Sequence, residues 1–99
     1  MFYAIISEDV KNSLSKRQSA RPAHLKRLNQ MLEQNRVLIA GPLPAIDSEE
    51  PGDAGFTGSL IVAEFDSLEQ AKAWANDDPY AEAGVYKEVL VKPFKKVMP

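Results

Sequence analysis

The sequence predicts an α+β domain whose elements follow the order β-α-β-β-α-β. Three observations carry that order. Short runs rich in β-branched and aromatic residues open and close the chain, MFYAIIS and GVYKEVLVKPF. Two more, RVLIA and SLIVAEF, sit in the middle. Between the first and second runs, and again between the third and fourth, apolar residues recur at the three- and four-residue spacing of a helix. With 99 residues, 44% of them hydrophobic and a net charge of −2, the chain is expected to form one compact domain over 1–99.

Residues 1–7 read as a buried strand, bounded by the polar stretch SEDVKNS. From Asn12 or Ser13 the pattern turns helical. Pro22 has no amide hydrogen and would break a bond deep inside a helix. A first turn or short helix at 13–18 is therefore expected, then a main helix at 19–35 with Ser19 as its N-cap and Pro22 in its first turn. Leu25, Leu28 and Leu32 follow the spacing of a core stripe. His24, the only histidine, edges that stripe, while Lys26, Arg27, Gln30 and Glu33 fall toward water.

Residues 36–40 read as the second strand, stopped by Gly41-Pro42. The connection over 41–58 holds four glycines and three prolines and has neither strand nor helix period. Its length suits a binding loop or lid as well as a plain excursion between hairpin strands. Residues 59–65 resume strand character. Asp66-Ser67 with Glu69-Gln70 then gives an overlapping capping-box signal for a helix with Leu68, Ala71, Trp74 and Ala75 on its apolar side. That helix must end near Asp77, because Pro79 biases Asp78 away from helical angles. In the last strand Val85, Val89 and Val91 share one face and Tyr86 and Leu90 the other.

This order is the split βαβ, or ferredoxin-like, arrangement, with both helices on one face of an antiparallel four-stranded sheet. The second face has no helix of its own. A domain this small buries only about two-thirds of its unfolded surface, so a homodimer through the sheet faces is expected.

Several function classes are excluded or disfavoured by composition and motif. Without cysteine there are no disulfides, no thiolate catalysis and no cysteine-based metal site, which is compatible with a reducing cytoplasm. The slight negative charge argues against nucleic acid as a partner. No basic start with a longer apolar run opens the chain, and no run of about 18 apolar residues occurs, so a cytoplasmic location without membrane contact is expected. GDAGFTG lacks the lysine of a phosphate-binding loop, and GFTGS is not a nucleophile elbow. One histidine and scattered carboxylates have no metal-ligand spacing, which leaves only a set assembled by folding; no cofactor is called for.

Taken by itself, a histidine at the margin of an apolar stripe is more often a core-edge group bonded to backbone than a functional one. Arg17 and Arg21 lie seven and three residues before it. They could grip an anionic group bidentately if the helix is continuous, or simply face solvent. Gly41 and Pro42 could bring backbone close to a ligand. Ser48 and Ser59 offer hydroxyls whose default is turn chemistry, and Tyr80 could wall a pocket or merely pack.

The segments RPAHLKRL, AGPLPAIDS, GFTGS, FDSLEQAKAWANDDPY, AGVY and VKPFKK, with a strand from the first residue, together resemble the YciI-like (YCII-related) family over essentially the whole chain. That family is similar to the wider dimeric α/β-barrel superfamily, whose members include muconolactone isomerase, a hydroxyhydroquinone dehydrochlorinase and small monooxygenases. The resemblance implies a dimer and an active-site cleft holding a His-Asp pair. The histidine of the AHL motif is His24 and the aspartate of the DPY motif is Asp78; Asp77 competes locally but has no adjoining proline. The resemblance therefore implies a cofactor-independent lyase, isomerase or dehydrochlorinase-type enzyme in which His24 moves a proton and Asp78 orients it. The alternative is a non-catalytic dimer that binds or senses a small molecule in the same cleft.

Overall fold

The computed structural model describes residues 1–99. Strand β1 spans Phe2–Asp9, helix α1 Leu14–Glu33, β2 Val37–Pro44, β3 Phe56–Glu64, α2 Leu68–Asn76, the short α3 Pro79–Glu82 and β4 Tyr86–Phe94. The strands form one sheet in the order β2-β3-β1-β4, with every neighbouring pair antiparallel. This is the ferredoxin-like arrangement. Alternation along the strands builds the core: Tyr3 and Ile5 of β1 and Ile61 and Ala63 of β3 pack with Met31 of α1, Phe65, and Ala71 and Ala75 of α2. The start of α2 follows the capping signal, with Ser67 Oγ accepting from the Gln70 amide at 3.1 Å.

The first helix departs from expectation. It runs without a break from Leu14, preceded by Ser13, and carries Pro22 in its interior. Pro22 is exposed, and buried side chains anchor the helix on both sides of it, Arg17 before and His24 after. The helix tolerates the missing bond because tertiary contacts, not propensity, hold it. It ends at Glu33 rather than 35, and Asn35 takes the left-handed conformation common just past a helix end, with φ +56°. Its buried line is Arg17, His24 and Met31, at seven-residue spacing. Leu25 and Leu28 are half-buried beside that line, whereas Leu32 is 57% exposed and not part of the core. Arg27 does not point to water: it lies 4.5 Å over the Trp74 ring and donates to the Trp74 carbonyl at 2.9 Å.

The second strand also differs. It continues through Gly41-Pro42 to Pro44, because β2 is an edge strand and prolines there need no ladder donor on the open side. Strand β3 correspondingly starts at Phe56, three residues early, and the loop shrinks to 45–55, closed at its base by Ala45 N–H donating to Gly55 O at 2.9 Å.

Two consequences follow from this topology. The helical layer does not reach the far half of β2, which is exposed from Ile39 onward. On the opposite face, Ile6, Ile39, Leu43, Leu90 and Phe94 are 36–53% exposed, and cross-strand register aligns them with Leu60 and Val62. No helix is long and apolar enough to cross a membrane.

Replacing Pro22 by alanine restores an amide donor inside α1 at an exposed position. The variant is expected to be more stable by about 1–3 kcal/mol. A urea-denaturation midpoint at or below that of the parent protein would contradict the view that Pro22 is a local cost borne by tertiary anchoring.

Candidate functional site

The gap between α1 and the exposed half of β2 is a cleft of about 560 Å³, within the range of small-ligand sites. Helix α1 supplies one wall with Arg17, Gln18, Arg21, His24 and leucines 14, 25 and 28. The sheet supplies Ala40, Gly41, Pro42, Phe56, Ser59 and Ile61, and α3 supplies Tyr80.

His24 and Asp78, 54 positions apart in sequence, meet here. The His24 Nδ1 atom lies 2.8 Å from Asp78 Oδ1 and 2.9 Å from Oδ2. His24 is 6% exposed and Asp78 2%. Local chemistry explains where the carboxylate stands. Asp78 is the extended N-cap of α3, Pro79 occupies the first helical position, and Asp78 Oδ1 accepts the Tyr80 amide at 2.9 Å. One carboxylate thus caps a helix and receives the imidazole. The neighbouring Asp77 is exposed at the C-cap of α2.

The Tyr80 ring, carried by the same turn, stacks on His24 with centroids 3.9 Å apart and planes within 9°. Hydrogen bond and stack together fix the imidazole. A carboxylate at Nδ1 makes that nitrogen the N–H donor, so Nε2 is the basic atom. It has no protein partner and is not sealed, so it opens on the cleft. On the other side of Asp78, Arg27 Nη1 lies 3.8 Å from Oδ2 and is buried without any hydrogen bond.

Arg17 is bound from behind. Its Nε donates to Asp9 Oδ2 at 2.6 Å and its Nη2 to Asp9 Oδ1 at 3.0 Å and to the Gly58 carbonyl at 2.8 Å. Ser13 Oγ donates to the same carboxylate at 2.6 Å. The guanidinium also lies 5.1 Å from the Tyr80 centroid and 5.4 Å from that of Phe56. Gly58 is required at this point, since a Cβ there would collide with the Ser7 carbonyl of the paired strand.

Beside Tyr80 a second polar group joins the buried Ser7 and Ser59 to the half-buried Tyr86. Ser59 Oγ is bonded to Ser7 Oγ at 2.6 Å and lies 3.4 Å from the Tyr86 hydroxyl. Burial pushes the Tyr86 phenol up to about 12. Burial likewise raises Tyr80, against the opposing pull of Arg17 and Arg21.

The structure therefore gathers His24, Asp78, Arg17, Arg21, Gly41, Pro42, Ser59 and Tyr80 around one space. Gly41 contributes no sharp bend: it is an ordinary strand residue, and an added Cβ would meet nothing within 4 Å. Ser48 stands apart in the 45–55 loop, where its hydroxyl accepts the Glu50 amide at 3.1 Å. Nowhere do three His, Asp or Glu side chains converge as a metal site would need.

Residue patterns alone missed Asp9, Ser13, Phe56, Arg27 and Tyr86. Asp9 carried a usable signal. It continues the inward parity of Tyr3, Ile5 and Ser7, and a carboxylate on a buried face demands a cationic partner.

A ferredoxin-like domain with a ligand-sized cleft between its first helix and an uncovered edge strand is the class these features define. The chain belongs to the YCII-related domain family, whose profile matches residues 1–95. It is 60% identical over 97 residues to protein YciI of Escherichia coli O6:H1 (strain CFT073), covering 98% of this chain and 99% of that protein. It is 57% identical over 97 residues to an uncharacterized protein of Haemophilus influenzae, with the same coverage. Among solved structures it is similar to 5-chloro-2-hydroxyhydroquinone dehydrochlorinase from Burkholderia phenoliruptrix AC1100 in complex with 2,5-dihydroxybenzoquinone. That match has a TM-score of 0.84 and 25% identity, covering 97% of this chain and 95% of the other.

A phenol whose folded pKa is raised from 10.0 to about 12 favours the native state while neutral. Its contribution is complete below pH 10 and is lost as pH rises toward 12. The Tyr86→Phe variant should therefore lose less stability than the parent between pH 9 and pH 11 in urea titrations; parallel losses would contradict the assigned burial.

Proposed function

We propose that this protein is a small-molecule enzyme in which His24, oriented by Asp78, transfers a proton to or from a substrate held in the cleft. The observation that carries this reading is the buried Nδ1–carboxylate contact at 2.8 Å beside an Nε2 left open to a ligand-sized space. Asp78 fixes the tautomer and stabilises the imidazolium that forms when Nε2 accepts a proton. Tyr80 stacking prevents ring rotation. The same imidazolium then returns the proton to a neighbouring atom or a leaving group, which completes an isomerisation or an elimination. That sequence draws on no cofactor. The similarity to a dehydrochlorinase that holds a small hydroxylated quinone supports this class of chemistry.

We further infer that the protein acts as a homodimer through its helix-free sheet face. Five apolar side chains there stand 36–53% exposed on a continuous surface, which water disfavours and a second copy of the same surface would cover.

Two tests follow. A metabolite-library screen for binding and turnover, run beside His24→Asn, should yield a substrate whose turnover falls by roughly 10²–10⁴-fold in the variant while the fold persists. Full retained turnover would remove His24 from the mechanism. Static light scattering should give twice the 11.0 kDa chain mass, and Leu90→Glu should halve it; a monomeric parent protein at micromolar concentration would refute the sheet-face dimer.

A further inference from the structure

The charges lining the cleft do not match those of the chain. Overall the protein is acidic, with 14 Asp and Glu against 12 Lys and Arg. Yet none of the 14 residues lining the cleft is Asp or Glu, while Arg17, Arg21 and His24 are all among them. Asp9 and Asp78 stand behind Arg17 and His24 and outside the lining.

The two arginines differ in a way that matters for a ligand. Arg17 spends Nε and Nη2 on Asp9 and Gly58 and has no protein partner for Nη1, although the residue is only 5% exposed. Nη1 is not among the sealed polar atoms, so its two N–H groups open on the cleft. They are held in place by the fork behind them and by Phe56 and Tyr80 beside them. The Arg21 side chain, one turn further along, is exposed at the cleft and makes no ion pair or hydrogen bond with the protein. Seven of the lining residues are hydrophobic, among them Leu25, Leu28 and Ile61.

We infer that the cleft is the binding site of a small organic monoanion whose carboxylate or enolate oxygens lie between Arg17 Nη1 and the Arg21 guanidinium. Its apolar body rests on the leucine side. The inference rests on the proposed function only in placing the ligand's reactive atom at His24. Positions 21 and 24 are about 4.5 Å apart along the helix axis, so a ligand with the breadth of one ring spans from the anion site to Nε2. Selectivity arises because a neutral analogue leaves the donors of a largely buried guanidinium unpaired and a cationic one meets only positive charge.

The test uses benzoate, its neutral isostere benzamide, and inorganic phosphate as probes. Binding is followed by NMR at the arginine Nε–Hε resonances and at the ring of the single histidine. Benzoate is expected to bind at least about tenfold more tightly than benzamide. It should also bind more tightly than phosphate, and it should shift the Arg17 and Arg21 signals. In Arg21→Gln the preference for benzoate over benzamide should fall several-fold. The inference is overturned by equal binding of benzamide, by phosphate binding as tightly as benzoate, by an undiminished preference in Arg21→Gln, or by no benzoate shift at millimolar concentration. His24→Asn separates the two readings. Its turnover reports on the proton transfer, whereas the charge preference is read on the parent protein and on Arg21→Gln, so loss of turnover and loss of charge selectivity are independent outcomes.

Discussion

Two buried carboxylates set the position of the first helix, and the cleft depends on that position. Asp9 at the end of β1 and Asp78 at the start of α3 are 8% and 2% exposed, and an unpaired charge at such burial costs several kcal/mol. Both partners come from α1, Arg17 and His24, seven residues and two turns apart. On one rigid helix, meeting one carboxylate places the base that meets the other. A shift of one residue would turn both bases away by about 100°, so no neighbouring register satisfies either pair. The same constraint accounts for a helix that stays continuous across Pro22. It also explains why the buried line of α1 is Arg17, His24 and Met31, with Leu25 and Leu28 displaced to the flank, where they face the cleft.

The order of the main elements is legible in the sequence because local signals agree with the fold: β-branched runs, a serine cap before α2, and a proline that ends it, whereas the four-residue α3 is not read from it. What escapes is whatever depends on tertiary partners. Pro22 marks a helix boundary by local rules, and only the Arg17–Asp9 and His24–Asp78 contacts, 8 and 54 residues apart, override it. Gly41-Pro42 marks a strand end unless β2 is known to lie at the edge of the sheet. The leucine spacing points to Leu32, but the helix face is decided by charge, and Leu32 ends outside. At the site, His24 stands out by being unique and inward-edged. Asp78 is reached through resemblance, because nothing in an Asp-Pro turn distinguishes a helix cap from a cap that also receives an imidazole.

Edge position also makes the cleft. The helical layer does not cover the whole four-stranded sheet, and β2, one of its two edge strands, extends beyond it. The space left between α1 and β2 is therefore built from backbone-regular walls on both sides, which hold their side chains more firmly than loops do. The 45–55 loop, despite its length, contributes no lining residue. Tyr80 comes from the single-turn α3, and it is held by its own stack on His24.

Placing acids behind bases has a chemical consequence. Each carboxylate orients and charge-balances its partner from the protein side, while the free nitrogen of that partner, Nη1 on Arg17 and Nε2 on His24, points the other way. The arrangement turns the outer nitrogens of both partners into hydrogen-bonding groups with fixed directions. A carboxylate placed in the lining instead would compete with any incoming anion and would draw the imidazole toward itself. By keeping both acids out of reach, the fold presents a surface of donors and apolar side chains that holds no carboxylate. The one nitrogen of that surface able to accept a proton is Nε2 of His24, because Nδ1 faces Asp78.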